Sequence, residues 1–310
     1  MNLGNNYKII RKNKGYTQKE VCQDKLTIAT LSKFENGRSM PSYSLISHLL
    51  YQVNMSFDEF EYLCAIENFD EEKQLLSKFE TIISNSEIKA TRDLKINCEK
   101  YLSHHQSKKI EELKMILELS LKLYDEDFSK NFSNEVKQIT LELWNTLAVK
   151  KEWYISELKL LNQILFYFPD DLIFDVTDRI LERLTEYDLF QKMAILKTSI
   201  LINLSTVYLY HSQVERCEEI LQWAYCEAQK LKRYDFISIC LIRLGICQTD
   251  KKMIKKGMTF LQLANETEME KEFIKEIKIF SQTKNFPTSC GKAFPIFYYL
   301  RLKRPVNTCT

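Results

Sequence analysis

The sequence predicts an all-α protein in two parts, a domain of five short helices followed by a tandem of helix hairpins. Glycine and proline, the residues that most often interrupt helices, number only 6 and 5 in 310 residues. Three of the prolines lie in the last 25 residues, so the rest of the chain is nearly free of helix breakers. At 45% hydrophobic, a chain of this length buries a sizeable core, and two domains are the natural expectation.

Capping residues divide the first 66 residues into five helices. Thr17, Thr27 and Ser56 each precede an apolar-periodic segment as a cap, and Glu20 stands where a capping box requires a carboxylate. Gly15 follows the first segment and suits a left-handed helix end. The predicted helices are residues 3–14, 18–24, 28–35, 42–53 and 57–66.

The second and third of these helices have the pattern of a helix-turn-helix, in which the third helix enters the major groove with its amino end. Leu31 and Phe34 face inward in this arrangement, and short hydroxyl residues face outward. Residues 1–40 carry eight basic and three acidic side chains, a local positive field on a nearly neutral protein. The residues expected at DNA are Arg11, Gln18, Thr27, Ala29, Thr30, Lys33 and Arg38.

Each of these residues has an assigned kind of contact. Thr27, Ala29, Thr30 and Lys33 point outward from the third helix, where short side chains reach base edges or a thymine methyl group. Gln18, at the positive end of the second helix, suits a phosphate or an adenine edge. The guanidinium groups of Arg11 and Arg38 suit phosphates, which position a protein without reading sequence.

Taken singly, such caps are ordinary features of any small helical bundle, but their combination is more specific. The segments TQKEV, TLSKFENGRSMPS, LISHLL and MSFDEF resemble the Cro/repressor-type (XRE) helix-turn-helix. Cys22 replaces the usual small alanine, and the connection between the second and third helices is one residue shorter than the common pattern. This resemblance implies DNA binding by residues 1–66.

The apolar pattern of residues 76–285 is helical and repeats at an offset of 40. ILQWA at 220–224 aligns with FLQLA at 260–264, and Asn203-Leu204 with Arg243-Leu244. Such spacing predicts an α-solenoid of tetratricopeptide-like hairpins, whose concave face commonly binds an extended peptide or a helix. Residues 67–75 are expected to be a linker. Residues 286–310, with three prolines and no acidic residue, are expected to form an irregular tail.

The whole arrangement resembles the Rgg/GadR/MutR family of transcriptional regulators of Gram-positive bacteria. TLSKFENGRSMPSYSLISHLL is similar to the family's N-terminal stretch, and KEWYISELKLLNQILFYFP at 151–169 to a later Trp- and Leu-rich segment. NLSTVYLYHSQVERCEEIL at 203–221 is similar to a repeat near the carboxyl end. The resemblance implies a homodimer that binds double-stranded promoter DNA at two-fold related half-sites and senses a short hydrophobic peptide.

Five residues of the repeats are candidates for peptide binding. The amide side chains of Asn203 and Asn162 bond both C=O and N–H groups of an extended ligand backbone. Arg243, at the position equivalent to Asn203, pairs with a ligand carboxylate, and Trp153 and Tyr154 supply apolar contact. The alternative for each is an ordinary capped or half-buried helix residue without a ligand.

The sequence lacks the motifs of enzymes, metal sites and membrane proteins. Four histidines have no metal-ligand spacing, and no glycine-rich phosphate loop or GxSxG motif occurs. We therefore expect no catalytic activity, no metal and no cofactor. No signal peptide or membrane span is expected, and nine cysteines without a CxxC pair favour the reducing cytoplasm.

These observations favour a peptide-controlled, quorum-sensing transcriptional regulator. One alternative keeps DNA binding but uses the repeats only for dimerisation or protein partners. Another is a helical-repeat scaffold whose helix-turn-helix is vestigial. Salt-dependent DNA binding separates the scaffold from the two regulators, because phosphate contacts release counterions.

Overall fold

The chain forms two compact units, Met1–Gln74 and Leu75–Thr310. The computed structural model describes residues 3–66, 71–81, 88–125, 134–168 and 170–282, and within these ranges the regular structure is helical, without strands. The predicted all-α fold is confirmed. Helix α6, Glu71–Thr81, begins inside the segment 67–75 predicted as a linker. The predicted tail, 286–310, lies outside the described residues.

The helices of the N-terminal unit begin within one residue of the predicted positions, and the second ends at Cys22, two residues earlier than predicted. Thr17 and Glu20 form the reciprocal capping box, with Thr17 N–H donating to Glu20 Oε2 at 2.6 Å and Glu20 N–H to Thr17 Oγ1 at 3.2 Å. Thr27 and Ser56 each accept a backbone N–H, and Gly15 has a φ of +80°. Within residues 3–66 the helices are α1 (Leu3–Asn13), α2 (Gln18–Cys22), α3 (Ile28–Glu35), α4 (Tyr43–Gln52) and α5 (Phe57–Ile66).

Helix α3 is held by an apolar core on its inner side. Leu31 and Phe34 are buried, as predicted, and Gly4 of α1 lies against the Phe34 carbonyl group. A Cβ on Gly4 would stand 1.8 Å from that oxygen, so a larger residue there would push α1 away from α3. The Tyr7 hydroxyl donates to Leu49 O at 3.2 Å and ties α1 to α4. The core and α1 therefore hold α3 in a fixed position, with its outer side facing solvent.

The second unit consists of helices that pack mainly against their neighbours in the chain. Helices α12 and α14 begin at Ala194 and Tyr234, which is the predicted offset of 40. Short 3₁₀ turns, Leu165–Tyr167 and Gln191–Met193, precede α11 and α12. The helices are α7 (Ile88–Leu102), α8 (Lys108–Asp125), α9 (Asn134–Ala148), α10 (Ile155–Ile164), α11 (Asp170–Glu186), α12 (Ala194–Tyr210), α13 (Val214–Lys230), α14 (Tyr234–Cys247), α15 (Lys251–Leu263) and α16 (Thr267–Gln282).

The turns that join α12 to α16 share one geometry. Each has a non-glycine residue in the left-handed region, with φ between 53° and 60°, at Ser212, Lys232, Thr249 and Asn265. The N–H group of the next residue then bonds to a carbonyl five residues earlier, as Asp250 N–H does to Gly245 O at 2.8 Å. This is the Schellman type of helix end. It reverses the chain within three residues and makes successive helices antiparallel neighbours.

Helices α12 and α14 are the interior of this unit. Every residue from 197 to 210 and from 236 to 247 is buried. The segment Gln191–Tyr210 is long and apolar enough for a membrane span, with a mean hydropathy of 1.3, but 83% of that window is buried within the protein. The core helix of a globular protein has these same properties.

Candidate functional sites

The outer side of α3 exposes the side chains that the sequence assigned to base edges. Thr27, Ala29, Thr30 and Lys33 are all exposed, and so is Arg38 in the loop that follows α3. Uncharged side chains thus occupy the first turn of the helix, and cations lie beyond it. This order matches a helix that enters the major groove with its amino end first.

Arg11 has a different position from the one expected. Its side chain is buried, and Nε and Nη2 donate to the two carboxylate oxygens of Glu35 at 2.6 and 3.0 Å. Nη1 donates to Tyr16 O at 2.6 Å. The outward position expected for Arg11 is not found, because its guanidinium is occupied in linking α1 to the end of α3, and a phosphate contact of Arg11 stays a prediction. The sequence signal was Glu35, an acidic residue next to the buried Phe34.

Gln18 joins the same cluster from α2. Its Nε2 donates to Glu35 Oε2 at 2.9 Å while the side chain stays partly exposed. Glu35 therefore binds α1 and α2 at once, and these bonds fix the position of α3 in the unit. A contact of Gln18 with DNA stays a prediction.

The structure adds Ile28 to the exposed set. This residue begins α3, and its side chain is 48% exposed. Ile28 lines one surface depression together with Lys19, Lys25 and Thr27. The sequence offered a signal for it, since it stands between two outward residues, but its apolar character suggested burial.

In the second unit, Asn162 and Asn203 come into contact. Asn203 Nδ2 on α12 donates to Asn162 Oδ1 on α10 at 2.9 Å, and Asn162 Nδ2 donates to Ser199 Oγ at 3.3 Å. Asn162 is half-buried and Asn203 is 4% exposed. The two asparagines that sequence spacing placed one repeat apart therefore form one chain of polar groups between neighbouring repeats.

Arg243 is not available for a ligand in this structure. Its side chain is 1% exposed, and Nε donates to Glu276 Oε1 of α16 at 3.1 Å. Nη1 donates to Thr206 Oγ1 at 2.6 Å and to Ile202 O at 3.3 Å, both on α12. Burial raises the pKa of Glu276, although Arg243 opposes this effect. The expected pairing of Arg243 with a ligand carboxylate is thus replaced by a link between α12, α14 and α16.

Trp153 is also part of the interior, and Tyr154 is not. Trp153 is 1% exposed, its Nε1 donates to Leu147 O at 3.1 Å, and the Arg179 guanidinium lies 3.8 Å from its ring centroid. Trp153 therefore closes the end of α9 rather than offering a surface for a ligand. Tyr154 is 58% exposed and precedes α10. Its contact with a peptide stays a prediction.

Comparison with known proteins identifies the fold through structure alone. No protein-family model matches the sequence, and no curated protein matches it. A candidate transcriptional regulator of Listeria monocytogenes EGD-e is similar at a TM-score of 0.72 and 16% identity, over 91% of this chain and 97% of that one. The SHP pheromone receptor Rgg2 of Streptococcus dysgalactiae has a TM-score of 0.66 and 15% identity, over 89% and 99% of the two chains.

A third similar structure was solved with both kinds of ligand. Bacillus thuringiensis PlcR, in complex with the peptide PapR7 and DNA, has a TM-score of 0.61 and 13% identity, over 89% of this chain and 98% of that one. At such identities the likeness establishes the fold. This chain has the fold of these proteins, a helix-turn-helix unit followed by tetratricopeptide-like helix hairpins. The fold expected from the Rgg resemblance is confirmed.

Proposed function

We propose that this protein is a sequence-specific transcriptional regulator of a Gram-positive bacterium, controlled by a short hydrophobic signalling peptide. It acts in the cytoplasm as a homodimer. The N-terminal unit binds promoter DNA at two half-sites related by two-fold symmetry, and the helical repeats bind the peptide. The peptide alters promoter activity because it has different affinities for two arrangements of the dimer.

The observation that carries the proposal is the presentation of α3. Its inner side is fixed by Leu31, Phe34 and the Arg11–Glu35 ion pair, and its outer side exposes uncharged side chains followed by Lys33. A purely structural role for α3 does not account for its rigid, solvent-facing first turn on a positively charged domain. The similarity to PlcR, solved with DNA, supports the same role.

The peptide part of the proposal rests on the asparagine pair and on the structural likeness. Asn162 and Asn203 lie within hydrogen-bond distance across two repeats, and amide groups satisfy both polar groups of a peptide unit. A peptide backbone that inserted there would exchange the Asn203–Asn162 bond for bonds to the ligand. The likeness to a pheromone receptor and to PlcR with PapR7 supports this ligand class.

A regulator without a peptide ligand is the second candidate, and burial favours it. Asn203 is 4% exposed, while Arg243 and Trp153 are bonded inside the unit. In this case the asparagine pair only joins two repeats, and the repeats serve dimerisation or a protein partner. Catalysis is not part of either candidate.

The first experiment is a selection of binding sites from a random duplex pool with the full-length protein, followed by fluorescence anisotropy of the selected DNA. The proposal predicts selected sites with two-fold symmetry and half-sites about one helical turn, or a multiple of it, apart. Affinity should fall steeply with salt, because each phosphate contact releases a counterion. A chain that enriches no sequence, or binds without salt dependence, would instead support the scaffold.

The second experiment adds synthetic hydrophobic peptides from small reading frames next to the gene. Saturable binding of a labelled peptide is expected, and Asn203→Ala should abolish the response while DNA affinity stays unchanged. DNA binding by a protein that binds none of the peptides would favour the second candidate.

A further inference from the structure

The first turn of α3 offers very few hydrogen-bonding groups. It consists of Thr27, Ile28, Ala29 and Thr30, and the two threonine hydroxyls lie 2.9 Å apart in a mutual hydrogen bond. Thr27 Oγ1 also accepts the Thr30 N–H at 3.2 Å. The hydroxyl pair uses one of its two O–H hydrogens internally, so a single free O–H is left. Apart from the backbone N–H groups that begin the helix, the remaining side-chain surface of this turn is formed by carbon.

Ile28 is the largest part of this carbon surface. The apolar residues on either side of it in sequence, Leu26 and Leu31, pack against the core of the N-terminal unit, whereas Ile28 is 48% exposed and does not join that core. Keeping the apolar surface of an isoleucine in water is unfavourable relative to burying it. Burial of Ile28 in a complex would recover part of that cost.

The surroundings of Ile28 indicate what covers it. Lys19 and Lys25 line the same depression as Ile28 together with one acidic residue, Asp24, and all three charged side chains are exposed. An apolar protein partner would be a poor match for a half-exposed isoleucine in a depression of net positive charge. The major groove of DNA is a good match, because it places an apolar group, the C5-methyl of thymine, between two rows of phosphates.

We propose that α3 reads thymine methyl groups through Ile28, with the Ala29 methyl beside it. This inference rests on the proposed DNA-binding function and specifies its target. Each half-site carries a thymine at the base that faces the first turn of α3. Readout there depends on apolar contact with the methyl group, and not on a bidentate hydrogen bond to guanine or adenine.

The composition of the turn excludes bidentate readout of guanine or adenine by its own side chains. Bidentate contacts to guanine need arginine or lysine, and those to adenine need asparagine or glutamine. Residues 27–30 include none of these. The nearest side chains of this kind on α3 and the loop that follows it are Lys33, a turn later, Asn36, at the end of the helix, and Arg38, beyond it.

The test replaces thymine by deoxyuridine, which lacks only the methyl group. Sites are selected from a random pool with the full-length protein, and each thymine of the selected half-site is then exchanged singly for deoxyuridine. One position is expected to lose affinity about fourfold per half-site, the factor for burying one methyl-sized group. Exchange of this thymine in both half-sites should lower the affinity by about the square of that factor. The Ile28→Ala variant should bind the thymine and deoxyuridine forms nearly equally.

Ile9→Ala is the matched control, since Ile9 on α1 is the same residue with 45% exposure. It should keep the full thymine preference of the wild type. If Ile28→Ala binds too weakly to measure, Ile28→Val should show an intermediate preference. The inference would be overturned if wild type bound every deoxyuridine duplex as tightly as the thymine duplex. It would also be overturned if Ile28→Ala kept the wild-type preference for thymine. In both cases DNA binding and the proposed function stand. A wild-type protein that binds no DNA would contradict the proposed function together with the thymine inference.

Discussion

The two units of this protein place their polar residues in opposite ways. On α3, which has one apolar side, polar and charged residues such as Thr30 and Lys33 face solvent. On α12 and α14, which are buried on all sides, Asn203, Thr206 and Arg243 are bonded to other parts of the unit. An outward residue on a half-buried helix is free for a partner. A polar residue on a wholly buried helix already has partners, and a ligand must displace them.

The largest expected effect lies in the buried pair of the second unit. Arg243→Met leaves the carboxylate of Glu276, 0% exposed, without its cation, and the unfolding free energy should fall by about 3–5 kcal/mol. Urea unfolding followed by tryptophan fluorescence reports on this unit alone, because the three tryptophans are Trp144, Trp153 and Trp223. The double variant Arg243→Met/Glu276→Leu should recover much of the loss.

An exposed ion pair on α16, the helix that carries Glu276, is the control for this prediction. Lys275 and Glu272 of α16 are 62% and 32% exposed, and Lys275→Met should change the unfolding free energy by no more than about 0.5 kcal/mol. If Arg243→Met were equally mild, Arg243 would be free for a ligand carboxylate after all.

A somewhat smaller effect is expected in the N-terminal unit. Arg11→Met leaves Glu35 buried with only Gln18 as a side-chain partner, which should destabilise the unit by about 2–4 kcal/mol and weaken DNA binding indirectly. Arg11→Met/Glu35→Leu should restore both folding, followed by tyrosine fluorescence, and DNA affinity. A phosphate contact by Arg11 predicts instead that the double variant binds no better than the single one and that the salt slope falls by about one.

The exposed cations beyond the first turn of α3 should have effects on DNA binding alone. Lys33→Ala should weaken the selected site by about 1–3 kcal/mol if Lys33 contacts a base, with less effect on unrelated DNA. Arg38→Ala should weaken both kinds of DNA alike and reduce the salt slope by about one. Anisotropy titrations at several salt concentrations distinguish the two patterns. Unchanged affinity in Lys33→Ala would remove this residue from recognition.

The smallest effect concerns the repeated turns. Thr249 is β-branched and has a φ of +57°, a conformation that costs a branched residue about 1–2 kcal/mol. Thr249→Gly should relieve that strain and raise the unfolding free energy by up to about 1 kcal/mol, part of the gain being offset by the entropy of glycine. Thr249→Ala, which keeps a Cβ, should gain less in the same urea titration. A loss of stability in Thr249→Gly would show that the turn is not strained.

The fold could be predicted from sequence because its signals are local. The caps at Thr17, Thr27 and Ser56 involve residues three positions apart, and the structure has them as expected. The offset of 40 between α12 and α14 was likewise visible in the order of apolar residues. Local patterns of this kind specify where helices begin and end and which neighbours they pack against.

The candidate sites could be predicted only in part, because burial of a polar residue depends on distant partners. Glu35 is 24 residues from Arg11 in sequence, and Glu276 is 33 from Arg243, so no local pattern identified the partner in either ion pair. The contact of Asn162 with Asn203 was closer to prediction, since the two residues are 41 positions apart, about one repeat. Ile28 was overlooked because an aliphatic residue is expected inside.

The dependence of DNA binding on peptide, measured with the full-length protein, decides whether the two units act together as proposed. A fluorescent duplex carrying the selected site is titrated with wild type and with Asn203→Ala, in the presence and absence of the hydrophobic peptides. We predict salt-dependent binding by both proteins and a peptide-dependent change in anisotropy for wild type alone. Asn162→Ala, which removes the other half of the amide pair, should also weaken the response. A protein that binds no DNA, or whose response to peptide is the same in Asn203→Ala, would contradict the proposed function.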